Sequence, residues 1–376
     1  MMTVRLRVAP GNHAAVVVVV ALACAGDGDS GKPTPCPSLA DGATGLREYL
    51  QHISDHTCLA AADAPGLRAA MQERYDVVAL PCHTVWRTYS PDGVRWDDSE
   101  ERVLDHTSVP DAWIDASGTH WLTGNDVTPF RLVEVATEQP ERLPREGMLG
   151  MGGMVLARGS GASADFERVT SLDLALPRPL MFADPDLRQT ASGEWQLVWL
   201  RTDPQNLAEI VNPALAADPH EIVRSRSGDG IAFEPAEWIL EPSLSNVVDP
   251  TAGPDGAGGV VIYASQGLDD TFGLWEWRWT EGASPAAEGT RVATFDGVTP
   301  DLVVREDGSQ RLVVMVPDVQ PIRFYQRASG AAVWEPWSVD NVPAELRNPS
   351  LAEDPSGGWW LYYNRTDAAC LAEVRG

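Results

Sequence analysis

Five stretches of this chain can be laid over one another without a gap: VPDAWIDASGTHWL (109–122), DPDLRQTASGEWQL (184–197), DPTAGPDGAGGVVI (249–262), TPDLVVREDGSQRL (299–312) and NPSLAEDPSGGWWL (348–361). In each, a Pro is followed eight residues on by Gly and twelve on by Leu or Ile. The prolines are Pro110, Pro185, Pro250, Pro300 and Pro349; the glycines are Gly118, Gly193, Gly258, Gly308 and Gly357. A Gly turn between a polar-apolar run and an aromatic run such as WQLVWL or WWLYYN reads as a β-hairpin.

Between the copies lies a second kind of hairpin. VWRTYSPDGVRW (85–96), IVRSRSGDGIAF (222–233) and RFYQRASGAAVW (323–334) show it clearly, and VLARGSGASADF (155–166) and LWEWRWTEGASP (274–285) are weaker versions. Five hairpins of each kind make five four-stranded units, the pattern of β-propeller blades. The fold class expected is therefore all-β, a five-bladed β-propeller with a short N-terminal helical extension. The chain enters on a second-kind hairpin and leaves after a first-kind one. Blade five must then draw strands from both ends, which closes the ring and removes a free edge.

The segments outside the repeats set the boundaries. Residues 1–23 read as an export signal: Arg5 and Arg7 precede the apolar run AAVVVVVALA, which is too short to span a bilayer. VALAC resembles a bacterial lipobox, which makes Cys24 the expected lipidation site and residues 24–43 a flexible leash. Residues 44–76, with LREYLQHI and GLRAAMQERY, read as two short helices, and 77–376 as the propeller. The expected location is the bacterial cell envelope, with the membrane contacted through the lipid anchor only and the protein a monomer. Four further cysteines remain, Cys36, Cys58, Cys82 and Cys370. They admit three connectivities; Cys36–Cys58 with Cys82–Cys370 is the expected one, since the second bond would tie the start of the ring to its end. A formal charge of -26 excludes nucleic acid as a partner, because nothing in the chain could neutralise phosphates at scale.

The same segments resemble the five-bladed propellers of glycoside hydrolase families 43 and 32, the arabinanase and invertase type. FADPDLRQTASGEWQLVW looks like their Asp-Pro strand, VPDAWIDASGTHWL is similar to their Pro-Asp strand, and SPDGVRW and SGDGIAF resemble their Ser-x-Asp-Gly outer hairpins. The resemblance covers about residues 80–368. It implies a carbohydrate ligand and carboxylate chemistry: an ionised Asp that activates water, a second Asp that modulates, and a Glu that donates a proton. Inverting pairs stand roughly 6.5–9.5 Å apart. Carried over by motif, Asp184 matches the base and Asp111 the modulator, with Asp249 a second Asp-Pro match and Asp301 a second Pro-Asp match. No copy has Glu beside its proline, the Glu-Gly-Pro phrase is absent, and the Pro-Asp copy precedes the Asp-Pro copy.

Comparing columns across the repeat separates structural from functional candidates. After the proline stand Asp111, Asp186, Thr251, Asp301 and Ser350, all short side chains whose oxygen can bond backbone donors at a strand entry. Before it stand Val109, Asp184, Asp249, Thr299 and Asn348. No single structural role suits Val and Asp alike, which favours Asp184 and Asp249 as functional groups. Carboxylates gathered on one axis would raise at least one pKa or recruit a cation, so a calcium ion in the axial channel is a further expectation. Trp113 is the candidate for stacking on a sugar ring, with Asp186 and Arg188 as further substrate contacts; Arg188 and Arg305 are the candidates to neutralise part of the Asp ring. The other blade tryptophans are expected in the core. His83, His106, His120 and His220 lack metal-ligand spacing, and there is no Gly-x-Ser-x-Gly, phosphate loop or nucleotide fingerprint. Two function classes stay open: a surface-anchored propeller that binds or hydrolyses carbohydrate, or a non-catalytic scaffold for protein or ligand binding.

Overall fold

The structure, a computed structural model, describes residues 82–128, 153–175, 181–190, 192–202, 220–242, 244, 247–268, 271–292, 298–316, 320–344 and 346–375. The signal, leash and helical extension, with Cys24, Cys36 and Cys58, lie outside the described residues.

Five four-stranded antiparallel sheets surround one axis. Their innermost strands are Thr107–Ile114 in blade 1, Met181–Gln189 in blade 2, Val247–Pro254 in blade 3, Val298–Val304 in blade 4 and Arg347–Glu353 in blade 5. Each carries its repeat proline within its first five residues. Blade 5 joins both ends of the ring: Trp359–Thr366 pairs with His83–Ser90, whose outer neighbour is Glu101–Asp105. A disulfide between Cys82 and Cys370 fastens that seam, with Cys370 carried on the helix Ala368–Arg375.

Local chemistry explains the repeat. All five repeat glycines have positive φ, between 77° and 103°, which a turn of this hand requires and glycine alone adopts without cost. The Ser-x-Asp-Gly phrase is a second turn device. Asp92 accepts the Val94 and Arg95 N–H groups and bonds Ser90; Asp229 accepts those of Ile231 and Ala232 and bonds Ser227.

Packing between blades is aromatic, as expected. Trp195, Trp199, Trp277, Trp279, Trp334, Trp337, Trp359 and Trp360 are all buried. Between blades 1 and 2, Trp113 stacks on Trp121 with centroids 6.4 Å apart, and Trp195 meets both edge-on. Neighbouring blades are also laced by short parallel pairings, Ala232–Phe233 with Asp173–Leu174, Arg95 with Asp340 and Leu240 with Ala286.

Candidate functional site

The residue before each repeat proline adopts the same unusual backbone. Val109, Asp184, Asp249, Thr299 and Asn348 have φ of 50°, 52°, 52°, 51° and 48°. At each the strand pairing slips, between Ser108 and Asp111, Ala183 and Asp186, Val248 and Thr251, Val298 and Asp301, and Arg347 and Ser350. This is a β-bulge repeated around the axis, and it re-aims one side chain per blade. The column does share a structural role after all: left-handed backbone, which Asn and Asp tolerate and the β-branched Val109 and Thr299 adopt only under strain. The bulge also settles how Asp184 and Asp186, two apart, come to serve different partners.

The column after the proline forms a closed ring of bonds. Asp111 Oδ2 accepts the Leu187 N–H at 2.7 Å, and Asp186 Oδ2 accepts that of Ala252 at 2.6 Å. Thr251 Oγ1 accepts the Leu302 N–H at 3.1 Å, and Asp301 Oδ2 that of Leu351 at 2.5 Å. Ser350 Oγ completes the circuit on Ala112 N–H at 2.8 Å. In every case the donor lies two residues beyond the next blade's proline, so each blade holds its neighbour by the same bond. Thr251 Oγ1 also donates to Asp186 Oδ2 at 2.6 Å.

Charge in this lower tier is crowded. Burial, then Asp186 and Asp301, hold the Asp111 carboxyl well above its ordinary 3.8. Burial pushes Asp301 up to about 7, with Asp186 adding to it against the Leu351 N–H. Arg188 pairs with Asp186, its Nε donating to Oδ1 at 3.1 Å. Burial pulls the guanidinium pKa down, and Asp186, Asp111 and Asp301 more than reverse it. Arg305 does not join this group; its Nε donates to both carboxylate oxygens of Glu353, at 2.9 and 3.0 Å. It follows the end of the blade 4 inner strand and, with Glu353, lines the bowl on the side of the Gly turns.

The upper tier is a carboxyl pair. Asp184 and Asp249, in adjacent blades, lie side by side at the axis, close enough for each carboxyl to shift the titration of the other. Thr299 Oγ1 donates to Asp249 Oδ2 at 3.5 Å, and Ser265 and Thr299 beside Asp249 pull its pKa down against burial. Burial raises both, Asp249 to about 6 and Asp184 well above 3.8, where Asp249's charge adds to the effect. Two carboxyls so placed titrate as a pair.

Both tiers line one small axial cavity of about 30 Å³. On the side of the Gly turns it meets a bowl of about 2190 Å³, whose lining includes Asp111, Asp301, Arg188 and Trp113 but neither Asp184 nor Asp249. The residues selected from sequence therefore fall into two groups at opposite ends of the hub. No Glu is among the described residues lining the axial cavity. Among the described residues no three His, Cys, Asp or Glu side chains converge as metal ligands. Sequence reasoning passed over Ser265 and Asn125, whose signal is a column fifteen residues after the proline: Asn125, Leu200, Ser265, Met315 and Asn364.

The sheets themselves define the class, a five-bladed β-propeller closed by its two ends. No protein-family model matches the chain, and no curated protein matches it in sequence. Solved structures similar to it include a protein of unknown function from Dyadobacter fermentans, 14% identical over 74% of this chain and 83% of that one, with a TM-score of 0.48. An alpha-L-arabinofuranosidase from Lactobacillus brevis is 10% identical over 70% and 84%, with a TM-score of 0.46. An endo-arabinase from Bacteroides thetaiotaomicron is 14% identical over 65% and 83%, with a TM-score of 0.43.

Proposed function

We propose that this propeller binds carbohydrate at the upper end of its hub, with Asp184 and Asp249 as the groups that bond sugar hydroxyls. The observation that supports this most is the pair of adjacent carboxyls with raised pKa that the repeated bulge aims at the axis. A half-protonated pair both donates and accepts, as a hydroxyl requires, and Thr299 and Asn348 add a further hydroxyl and amide to the same ring.

Hydrolysis is the second reading, with Asp184 or Asp249 as base and Asp111 or Asp301 as modulator. It is favoured by carboxyls that keep a proton near neutrality, Asp301 at about 7 above all. Against it stand the bonds that commit Asp111 and Asp301 to neighbouring blades. Binding therefore ranks first. Incubation with a panel of furanosides and pyranosides separates the readings: binding without sugar release supports the first, release abolished in Asp184→Asn supports the second. Neither binding nor release, with a protein captured instead, supports a scaffold.

We further propose export and attachment to the cell envelope through Cys24. The lipobox-like VALAC supports this, as does the Cys82–Cys370 bond, since disulfides persist in oxidising compartments.

A further inference from the structure

Fifteen residues after the repeat proline, the second strand of each blade carries Asn125, Leu200, Ser265, Met315 or Asn364. Where this residue is polar in blades 3 and 5, it caps the next blade. Ser265 Oγ accepts the N–H of Thr299 at 3.0 Å, and Asn364 Oδ1 accepts that of Val109 at 2.7 Å. The corresponding donor for blade 1 is the N–H of Asp184. Asn125 is fully buried, yet neither its Oδ1 nor its Nδ2 has a protein partner; the buried Thr123 Oγ1 is unpartnered as well. Residues 121, 123 and 125 share one face of the strand Thr119–Asp126, and Trp121 on that face meets Trp195 of blade 2 at 5.2 Å. The orphaned amide and hydroxyl thus look onto the blade that bears Asp184. Leu200 and Met315 show that the fold accepts an apolar side chain at this position, where a buried amide without a partner is costly.

We propose that Asn125 is a positioning residue for Asp184: with Thr123 it holds a buried water at the seam of blades 1 and 2, and that water accepts the Asp184 N–H and donates to the Asp184 carboxylate. A buried water commonly has about two to four polar partners. The role rests on reading Asp184 as a ligand-facing carboxyl, but its test needs no ligand, so the two fail separately.

The test is a carboxyl titration by carbon-13 NMR on protein labelled at Asp, assigned with Asp184→Asn and Asp249→Asn. Asp184 is faced by Asp249 from blade 3, and Asp111, Asp186 and Asp301 line the same axial cavity; His83 of blade 5 is bonded to Ser108 of blade 1. In Asn125→Leu the water is displaced and the pair's midpoint rises by about one pH unit, a tenfold gain in proton affinity. Asp111 and Asp301 titrate as before, thermal stability is kept or gained, and Asn125→Ser, copying blade 3, restores the midpoint. Asn125→Met, copying blade 4, carries the same test if the leucine variant does not fold. An unmoved midpoint overturns the proposal, as does an equal shift of all hub carboxyls or a failure of Ser to restore.

Discussion

Ser350 Oγ accepts the Ala112 N–H at 2.8 Å, joining the last blade to the first and closing a circuit that Asp111, Asp186, Thr251 and Asp301 carry around the hub. Such a bond asks only for an acceptor. Asp111→Asn, which keeps one, is expected to fold with near-native stability, whereas Asp111→Ala strands the Leu187 N–H and loses about 1–3 kcal/mol. Urea unfolding of the two variants checks this. A carboxylate essential for its charge would show the opposite pattern in activity, with Asn as damaging as Ala.

Val109 adopts φ of 50° with a β-branched side chain, while Asn348 occupies the equivalent place in blade 5 at 48°. Left-handed backbone costs an ordinary residue roughly 1–2 kcal/mol, and Asn less. Val109→Asn is therefore expected to raise stability by about 1 kcal/mol in thermal melting. A loss would mean that the Val side chain is worth more to the hub than the strain it carries.

The hub carboxyls give the protein an acid-side stability optimum. Asp249 at about 6 and Asp301 at about 7, with Asp111 and Asp184 also raised, bind protons more readily folded than unfolded. Their contribution is present in full below 3.8 and is lost as pH rises through 6 and 7. Asp92 and Asp229 act in the other direction. The Arg95 and Val94 N–H groups lower the first, and those of Ile231 and Ala232 the second; that stability is lost as pH falls below the ordinary 3.8. Melting temperature should peak between about pH 4 and 6 and fall toward pH 8. In Asp249→Asn part of that fall should disappear. A melting temperature that climbs steadily to pH 8 would contradict the assignment.

The Cys82–Cys370 bond spans 288 residues and fastens the seam where the two ends of the ring meet. Reduction, or Cys82→Ser with Cys370→Ser, is expected to cost about 2–4 kcal/mol in denaturant unfolding, with the strand pairing of His83–Ser90 to Trp359–Thr366 the first to open in hydrogen exchange. Uniform exchange across all blades would place the weak point elsewhere.

Much of this architecture was legible because a propeller writes its period into the chain. Pro, then Gly eight and Leu or Ile twelve residues later, located the inner hairpins, and the order of hairpin types located the seam and its disulfide. What could not be read is what crosses between blades. The short oxygen-bearing column of Asp111, Asp186, Thr251, Asp301 and Ser350 announced hydrogen bonds but suggested local donors; the actual donors lie tens of residues away, where no spacing rule reaches. The column of Val109, Asp184, Asp249, Thr299 and Asn348 hid its shared backbone because Val and Thr are poor candidates for positive φ. Arg305 was legible as an arginine in need of a carboxylate, but not that Glu353 would supply it.

The most direct measurement is calorimetric titration of an oligosaccharide panel into wild type, Asp184→Asn and Asp111→Asn, with all three matched for folding. Sugar binding by the upper pair predicts that Asp184→Asn weakens the best ligand by at least about tenfold, roughly 1.4 kcal/mol, while Asp111→Asn binds as wild type does. No saccharide bound by any of the three, or equal loss in both variants, would contradict it.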